Sequence, residues 1–330
     1  MQYRKLGRTQ IDVSVVAFGA WAIAGGANWG PQDENDSREA LQAAYDAGVT
    51  LFDTAEAYGN GKSEELIGEA LHTVRDRIVI ATKVAPRHFA PEEIKASCER
   101  SLQALRTDRI DLYQLHWPRP DMSVEDIFAT LEELKAAGKI RAYGVSNFGT
   151  GTLGHCLERG DAIESNQVCY NLLFRAVEHA ILPLCRTSSI SVLCYSPLMQ
   201  GLLCGKFNNA DAVPEERART RHFSSSRPKV RHTEAGAEQL TFETIRRIDT
   251  IAKETGHSMA VIAMAWLLAQ EGVTSVLAGA RNKEQARSNA AVGDVVLSGD
   301  LIRRLSEATA DLKERLGPNA DPWQSDSRTV

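Results

Sequence analysis

The chain has 330 residues with 43 acidic and 38 basic side chains, a formal net charge of -5, and one locally arginine-rich stretch between Arg217 and Arg231. That balance argues against a nucleic-acid or membrane-surface partner, each of which selects for a basic face. With 43% hydrophobic and 25% charged residues a sizeable folded core is available, but no apolar run approaches the ~20 residues of a membrane helix. The first six residues lack the form of a signal peptide, so the expected location is the cytoplasm. Cys98, Cys156, Cys169, Cys185, Cys194 and Cys204 form no C-x-x-C pair and have no histidine at zinc spacing, and no H-E-x-x-H cluster occurs. Reduced, buried thiols and no metal site are expected.

Residues 3–13 read as a short hairpin turning at Gly7-Arg8, standing outside the strand–helix alternation of the remaining chain and with a shape that could plug one end of it. From residue 14 onward, strand-like and helix-like segments alternate, separated by turn residues. Strand 14–18 precedes helix 37–47, strand 50–54 precedes helix 63–71, and strand 78–82 precedes helix 91–105. Strand 111–115 is followed by helix 124–137, strand 141–145 by helix 153–158, and strand 162–167 by helix 177–187. Strand 191–194 leads into a long Arg-, Ser- and Pro-rich insertion, 199–236, and helices 240–255 and 258–270. Strand 275–278 and helix 283–291 complete an eighth unit. Beyond it lie an extra helix, 298–312, and a polar tail, 317–330, which either crosses the mouth of the fold or is mobile.

Eight strand–helix units with helical crossovers predict a parallel sheet, and eight is the number that closes. The expected fold is a single α/β domain over 1–330, a (β/α)8 TIM barrel with an N-terminal hairpin, an insertion after strand seven and an extra C-terminal helix. An open doubly wound sheet would carry G-x-G-x-x-G after its first strand. Here Gly19-Ala20-Trp21 and Gly25-Gly26 do not complete that pattern.

In such a barrel the chemistry sits at the C-terminal strand ends. Those ends carry Trp21, Asp53, Lys83, His116, Ser146 with Asn147, Gln167, Tyr195 with Ser196, and Gly279 to Arg281. An unpaired carboxylate in an apolar interior costs several kcal/mol, so Asp53 calls for a cation, and Lys83 is the candidate. A phenol with an ordinary pKa of ~10 is a poor acid or base near neutrality, and an adjacent ammonium lowers it, so Tyr58 gains a role beside Lys83. His116, next to Trp117, would orient a carbonyl oxygen. The plainer alternative is a structural Asp–Lys pair with a surface tyrosine.

Gly48-Val-Thr-Leu-Phe-Asp-Thr-Ala-Glu-Ala-Tyr-Gly59, running on to Ser63-Glu-Glu-Leu-Ile-Gly68, resembles the first signature of the aldo-keto reductases. Thr82-Lys83, Leu115-His116-Trp117, Gly144-Val-Ser-Asn-Phe148, Tyr170-Asn-Leu172 and Tyr195-Ser-Pro-Leu198 are similar to further motifs of that family in the same order. The resemblance spans residues 3 to about 292. It implies reversible hydride transfer between a nicotinamide cofactor and a small carbonyl or alcohol, with Tyr58 as general acid/base, Lys83 and Asp53 tuning it, and His116 positioning the substrate oxygen.

The same resemblance assigns the nicotinamide carboxamide to Ser146, Asn147 and Gln167, and the stacking aromatic to Tyr195. It gives the pyrophosphate to Ser196, Leu198, Gln200 and Lys206, with Arg219 from the insertion. Trp21, Asp53 and Gly279 complete the cofactor set, and Trp21, Tyr58, His116 and Trp117 the substrate set, with Trp29 a further wall. Arg281, Gln285 and Asn289 recur every four residues, sharing one face of a helix that starts near Asn282 and offers an anion site. The resemblance puts an adenosine 2′-phosphate there and so favours NADPH over NADH. Gly279-Ala280 replaces the lysine and small hydroxyl residue of the best-known members, which leaves Arg281 as the main counter-charge. Two other readings stand beside the reductase. One is a cofactor-bearing regulatory subunit with little turnover, like the family's potassium-channel β subunits. The other is a barrel aldolase or isomerase with Lys83 as nucleophile.

Overall fold

The computed structural model describes residues 1–26 and 29–329. Strands β1 (Tyr3–Lys5) and β2 (Asp12–Ser14) form an antiparallel hairpin in which Tyr3 faces Ser14. The barrel strands are β3 (Val16–Gly19), β4 (Leu51–Asp53), β5 (Val79–Val84) and β6 (Ile110–Leu115). They continue with β7 (Ile140–Ser146), β8 (Ile163–Cys169), β9 (Ser191–Tyr195) and β10 (Val273–Ala278). Each pairs in parallel with its sequence neighbour, and β10 returns to β3 to close the ring. Closure leaves no sheet edge unpaired, and the fold is the expected (β/α)8 barrel with its hairpin.

Side chains alternate across a strand, so residues two apart share a face. Ala17, Leu51, Ala81, Leu112, Ala142, Leu193 and Leu277 point inward and pack with Leu6, Ile11 and Val13 of the hairpin in one buried cluster. The hairpin therefore plugs the N-terminal end of the barrel. Its turn is pinned: the Gly7 N–H donates to Ser191 Oγ at 2.7 Å and the Arg8 N–H to Glu164 Oε2 at 2.7 Å. Gly7 has φ +53°, and a Cβ there would lie 2.4 Å from Glu164 Oε2. One step up the strands the inward face turns polar, and that second layer makes the site.

Helices α1 (Glu34–Asp46), α2 (Lys62–Leu71), α3 (Pro91–Ala104), α4 (Val124–Ala136) and α5 (Thr150–Glu158) follow β3 to β7. Helix α6 (Ile181–Thr187) is shorter than the predicted 177–187. Pro183 lacks an N–H and its ring would strike the carbonyl four residues back. The chain accordingly makes a separate 3₁₀ turn at Ala176–His179 and breaks at Ala180, φ -152°, which leaves Pro183 in a first turn. After β9 come the insertion, α7 (Glu238–Thr255) and α8 (Met259–Leu268); after β10 comes α9 (Lys283–Ala291).

The predicted helix 298–312 is two helices, α10 (Gly299–Ala308) and α11 (Ala310–Leu316). Thr309 separates them: its hydroxyl donates to Leu305 O at 3.1 Å while receiving Arg175 Nη1 at 2.8 Å. A hydroxyl bonding back onto the turn competes with helix continuation.

The tail, which the sequence leaves as either a strap or a mobile end, is an ordered strap across the mouth. The Arg221 guanidinium of the insertion donates to Asn319 O at 2.8 Å and to Leu316 O at 2.7 Å, and the Arg221 backbone N–H donates to Pro322 O at 2.9 Å.

Candidate active site

The polar layer lies two residues beyond the apolar one. Leu51 is followed by Asp53, Ala81 by Lys83, Leu112 by Gln114 and Leu193 by Tyr195, all on the inward face. Lys83 is fully buried, and its Nζ donates to Asp53 Oδ1 at 2.6 Å and to Thr54 O at 2.6 Å. The same ammonium reaches the Tyr58 hydroxyl at 3.5 Å and sits 5.0 Å from the centre of its ring. Asp53 Oδ2 accepts from Gln167 Nε2 at 2.7 Å and from Gln114 Nε2 at 3.3 Å. A buried ion pair is tolerable only when its remaining lone pairs and protons are satisfied, and this one is held from four sides. Gln114 and the Thr54 carbonyl escaped the sequence reading; position 114 shares its strand face with Leu112, and that alternation was the available signal.

Burial of the Lys83 ammonium pushes its pKa down, but Asp53 and then Tyr58 outweigh this, and the net shift is upward. It stays charged. The Tyr58 phenol moves the opposite way from the sequence expectation: burial raises its pKa by more than the neighbouring Lys83 charge lowers it. Tyr58 is therefore a protonated donor at neutral pH. Burial, and then the Lys83 charge, lower the His116 pKa to about 3, so its imidazole is neutral. Both residues are partly exposed, and water softens these shifts without changing their sign.

Aromatic rings frame this group. His116 meets Tyr58 edge-on with centroids 5.7 Å apart, and Trp21 stacks on Tyr58 at 5.9 Å and 27°. Trp29 stands edge-on to Trp21 at 5.4 Å. Trp117 lies beneath the Arg328 guanidinium of the tail, 3.9 Å from its ring centre, a contact with no sequence signal.

A second constellation continues around the rim. Ser146 Oγ and the Asn147 N–H both donate to Gln167 O, at 3.0 and 2.9 Å. Asn147 Nδ2 donates to Ser146 Oγ at 2.9 Å and His116 O at 3.2 Å, and its Oδ1 accepts from the Tyr195 hydroxyl at 2.8 Å. Asn147, Ser196, Met199 and Gln200 all take positive φ, between 44° and 64°, a conformation that non-glycine residues keep only where the surroundings impose it. Among the described residues, Gln200 Nε2 and Arg219 Nε are buried donors without an acceptor. Lys206 is exposed, whereas Leu198 packs against the core.

At the start of α9, Asn282 caps the helix by accepting from the Gln285 N–H at 2.9 Å. Gln285 Oε1 accepts from the Arg281 N–H at 3.0 Å, and Asn289 Nδ2 donates to Gly279 O at 3.1 Å. The structure thus brings Gly279, Arg281, Gln285 and Asn289 together. The Arg281 guanidinium itself turns to the segment before α1, donating to Gln32 Oε1 at 2.6 Å and to the Pro31 carbonyl. Among the described residues no helix is long and apolar enough to cross a membrane.

The buried Asp53–Lys83 pair, with Tyr58 and His116 beside it, thus lies at the C-terminal end of a closed parallel barrel. The model of the family described as the Aldo/keto reductase family matches residues 15–310. Aldo-keto reductase YhdN of Bacillus subtilis is 37% identical over 302 residues, covering 86% of each chain. The NADH-specific methylglyoxal reductase of Escherichia coli is 32% identical, covering 92% of this chain and 98% of that one. Among solved structures, an aldo-keto reductase from Klebsiella pneumoniae in complex with NADPH superposes with a TM-score of 0.73 at 30% identity, covering 96% of both chains. The glycerol dehydrogenase of Gluconobacter oxydans superposes with a TM-score of 0.80 at 31% identity, again covering 96% of both. Barrel, motif order and matches along nearly the whole chain agree: the protein belongs to the aldo/keto reductase family.

Proposed function

We propose that the protein is an NADPH-preferring carbonyl reductase, working on an aldehyde or ketone and, in reverse, on the corresponding alcohol. The single observation that carries this reading is the buried Lys83, bonded to Asp53 and in reach of the Tyr58 hydroxyl, with the His116 ring beside it. When bound, the cofactor supplies or accepts the hydride. Everything else is done by side chains of this chain.

Tyr58 gives its proton to the oxygen of the reduced carbonyl, which suits a phenol whose pKa lies above its ordinary value. Lys83, kept charged by Asp53, stabilises the negative charge that develops on the phenol and substrate oxygens as the proton moves, an interaction stronger in the transition state than before it. A neutral His116 can donate one hydrogen bond to that oxygen without competing as an acid. The charged state of Lys83 also weighs against the aldolase reading, which needs a free amine.

The residues present fit a dinucleotide. Gln200 Nε2 and Arg219 Nε are buried donors in want of an acceptor, and phosphate oxygens are acceptors only. Ser146, Asn147 and Gln167 would hold the carboxamide, Tyr195 the ring, and Ser196, Leu198, Gln200, Lys206 and Arg219 the pyrophosphate. Arg281, with Gln285 and Asn289 at the N-terminus of α9, would take the 2′-phosphate after leaving Gln32 and Pro31. One relative is named NADH-specific and one solved neighbour holds NADPH, so the proposed preference rests on Arg281.

Fluorescence titration with NADPH and NADH, followed by a panel of carbonyls monitored by loss of reduced cofactor, tests the reading. Tighter NADPH binding and turnover of at least one aldehyde class are expected. Tight cofactor binding with no turnover of any carbonyl would instead favour the regulatory subunit.

A further inference from the structure

The tail ends in a small device that the reductase reading does not use. Asp321 is fully buried and accepts four bonds: from Arg328 Nε at 2.7 Å, Arg328 Nη2 at 3.0 Å, the Trp323 N–H at 2.9 Å and the Arg328 N–H at 3.4 Å. The side-on pairing consumes one edge of the guanidinium and fixes its plane. That plane lies on Trp117, 3.9 Å from the ring centre, and Trp117 directly follows His116. Trp323 lies under Arg219 of the insertion at 5.2 Å, and Thr233 donates its N–H to Ser325 Oγ at 3.0 Å. The strap is therefore anchored by the insertion ahead of Arg328 and by Trp117 at Arg328 itself. The contact with Trp117, two residues beyond the C-terminal end of β6, puts the pair at the mouth of the barrel.

We propose that Arg328 is a specificity-determining residue of the carbonyl site, its remaining Nη1 edge binding a neutral oxygen next to the reacting carbonyl. This rests on the reductase reading. Among the described residues Nη1 has no acceptor within this chain, and a third of the side chain is exposed, at 34%. The pair with Asp321 is formally neutral, so this edge donates hydrogen bonds without a net charge to draw in an anion. That chemistry fits a hydroxyl or second carbonyl better than a carboxylate. Asp321 is a positioning residue: it acts only through Arg328, by holding its plane and cancelling its charge.

The test compares kcat/KM for three aldehydes of similar length: an alkyl aldehyde, an α-hydroxyaldehyde and an aldehyde ending in a carboxylate. In Arg328→Gln the preference for the α-hydroxyaldehyde over the alkyl one is expected to fall about tenfold, the size of one lost hydrogen bond to a charged donor, and to fall through KM. NADPH affinity, measured by fluorescence, reports whether the fold is kept. In Asp321→Asn the uncompensated guanidinium is expected to raise the preference for the carboxylate aldehyde, and Arg328→Lys to recover little of the hydroxyl preference because it lacks the fork. An equal loss for all three aldehydes in Arg328→Gln, or an unchanged ratio, would overturn the proposal. An unchanged or lower carboxylate preference in Asp321→Asn would overturn the charge-cancelling role. If the unaltered protein reduces no aldehyde, it is the reductase reading that has failed, and this inference fails with it.

Discussion

Asp53 shows how a single side chain joins stability to the proposed chemistry. Its carboxylate is bonded to Lys83, Gln167 and Gln114, and Lys83 has no exposed surface through which water could replace it. Removing one partner of a buried pair leaves an uncompensated charge, at a cost of about 3–5 kcal/mol. Asp53→Ala should lower the denaturant midpoint by a corresponding amount, and the double variant Asp53→Ala/Lys83→Met should recover part of the loss; a double variant no better than the single one would speak against the pair. His116 gives a pH prediction. Its pKa is lowered from 6.5 to about 3, so it is neutral throughout the range of about pH 5 to 8 in which an ordinary histidine titrates. The pH profile for reduction should therefore be free of any limb that Asn at position 116 abolishes, and such a limb near the ordinary histidine value of 6.5 would contradict the assignment. At Arg281, substitution by Ala should weaken NADPH binding about tenfold or more while leaving NADH within a few-fold; equal weakening of both would remove Arg281 from cofactor choice.

At the scale of elements, what was legible in the sequence was local. Strand runs, their polar ends and the Gly7-Arg8 turn are all written in short stretches, and each matches the barrel and its hairpin. Where a local pattern met a competing local rule, the predicted helix proved to be broken: Pro183 confines 177–187 to a shorter helix, and Thr309 divides 298–312 into two helices, the second running on to Leu316. The pKa direction of Tyr58 also ran against expectation, because the sequence names the lysine beside the phenol but not how deeply both are buried. The hairpin supplies this scale's prediction. Gly7→Ala places a Cβ 2.4 Å from Glu164 Oε2 and 2.5 Å from Glu164 O at φ +53°, so strain and clash should cost about 1–3 kcal/mol. Because the plug lies at the opposite end from the site, the thermal midpoint should drop while cofactor affinity stays put. A variant as stable as the parent would show that the turn can shift.

For the whole molecule, the barrel separates two jobs. Its N-terminal end, sealed by Leu6, Ile11 and Val13, holds the fold together, and its C-terminal end gathers residues from β4 to β9 over a polar floor. The insertion and the tail close over that floor through contacts remote in the chain, such as Arg221 to Asn319, 98 residues apart. No periodicity or motif announces such pairs, so the ordered strap and the Arg328–Trp117 contact could be seen only in the folded chain. All of this geometry converges on the Tyr58 hydroxyl, the proposed proton donor. The most direct measurement is single-turnover oxidation of bound NADPH by an aldehyde in the parent protein and in Tyr58→Phe. The account predicts equal NADPH affinity and a rate at least about a hundredfold lower in the variant; a variant within a few-fold of the parent would contradict it.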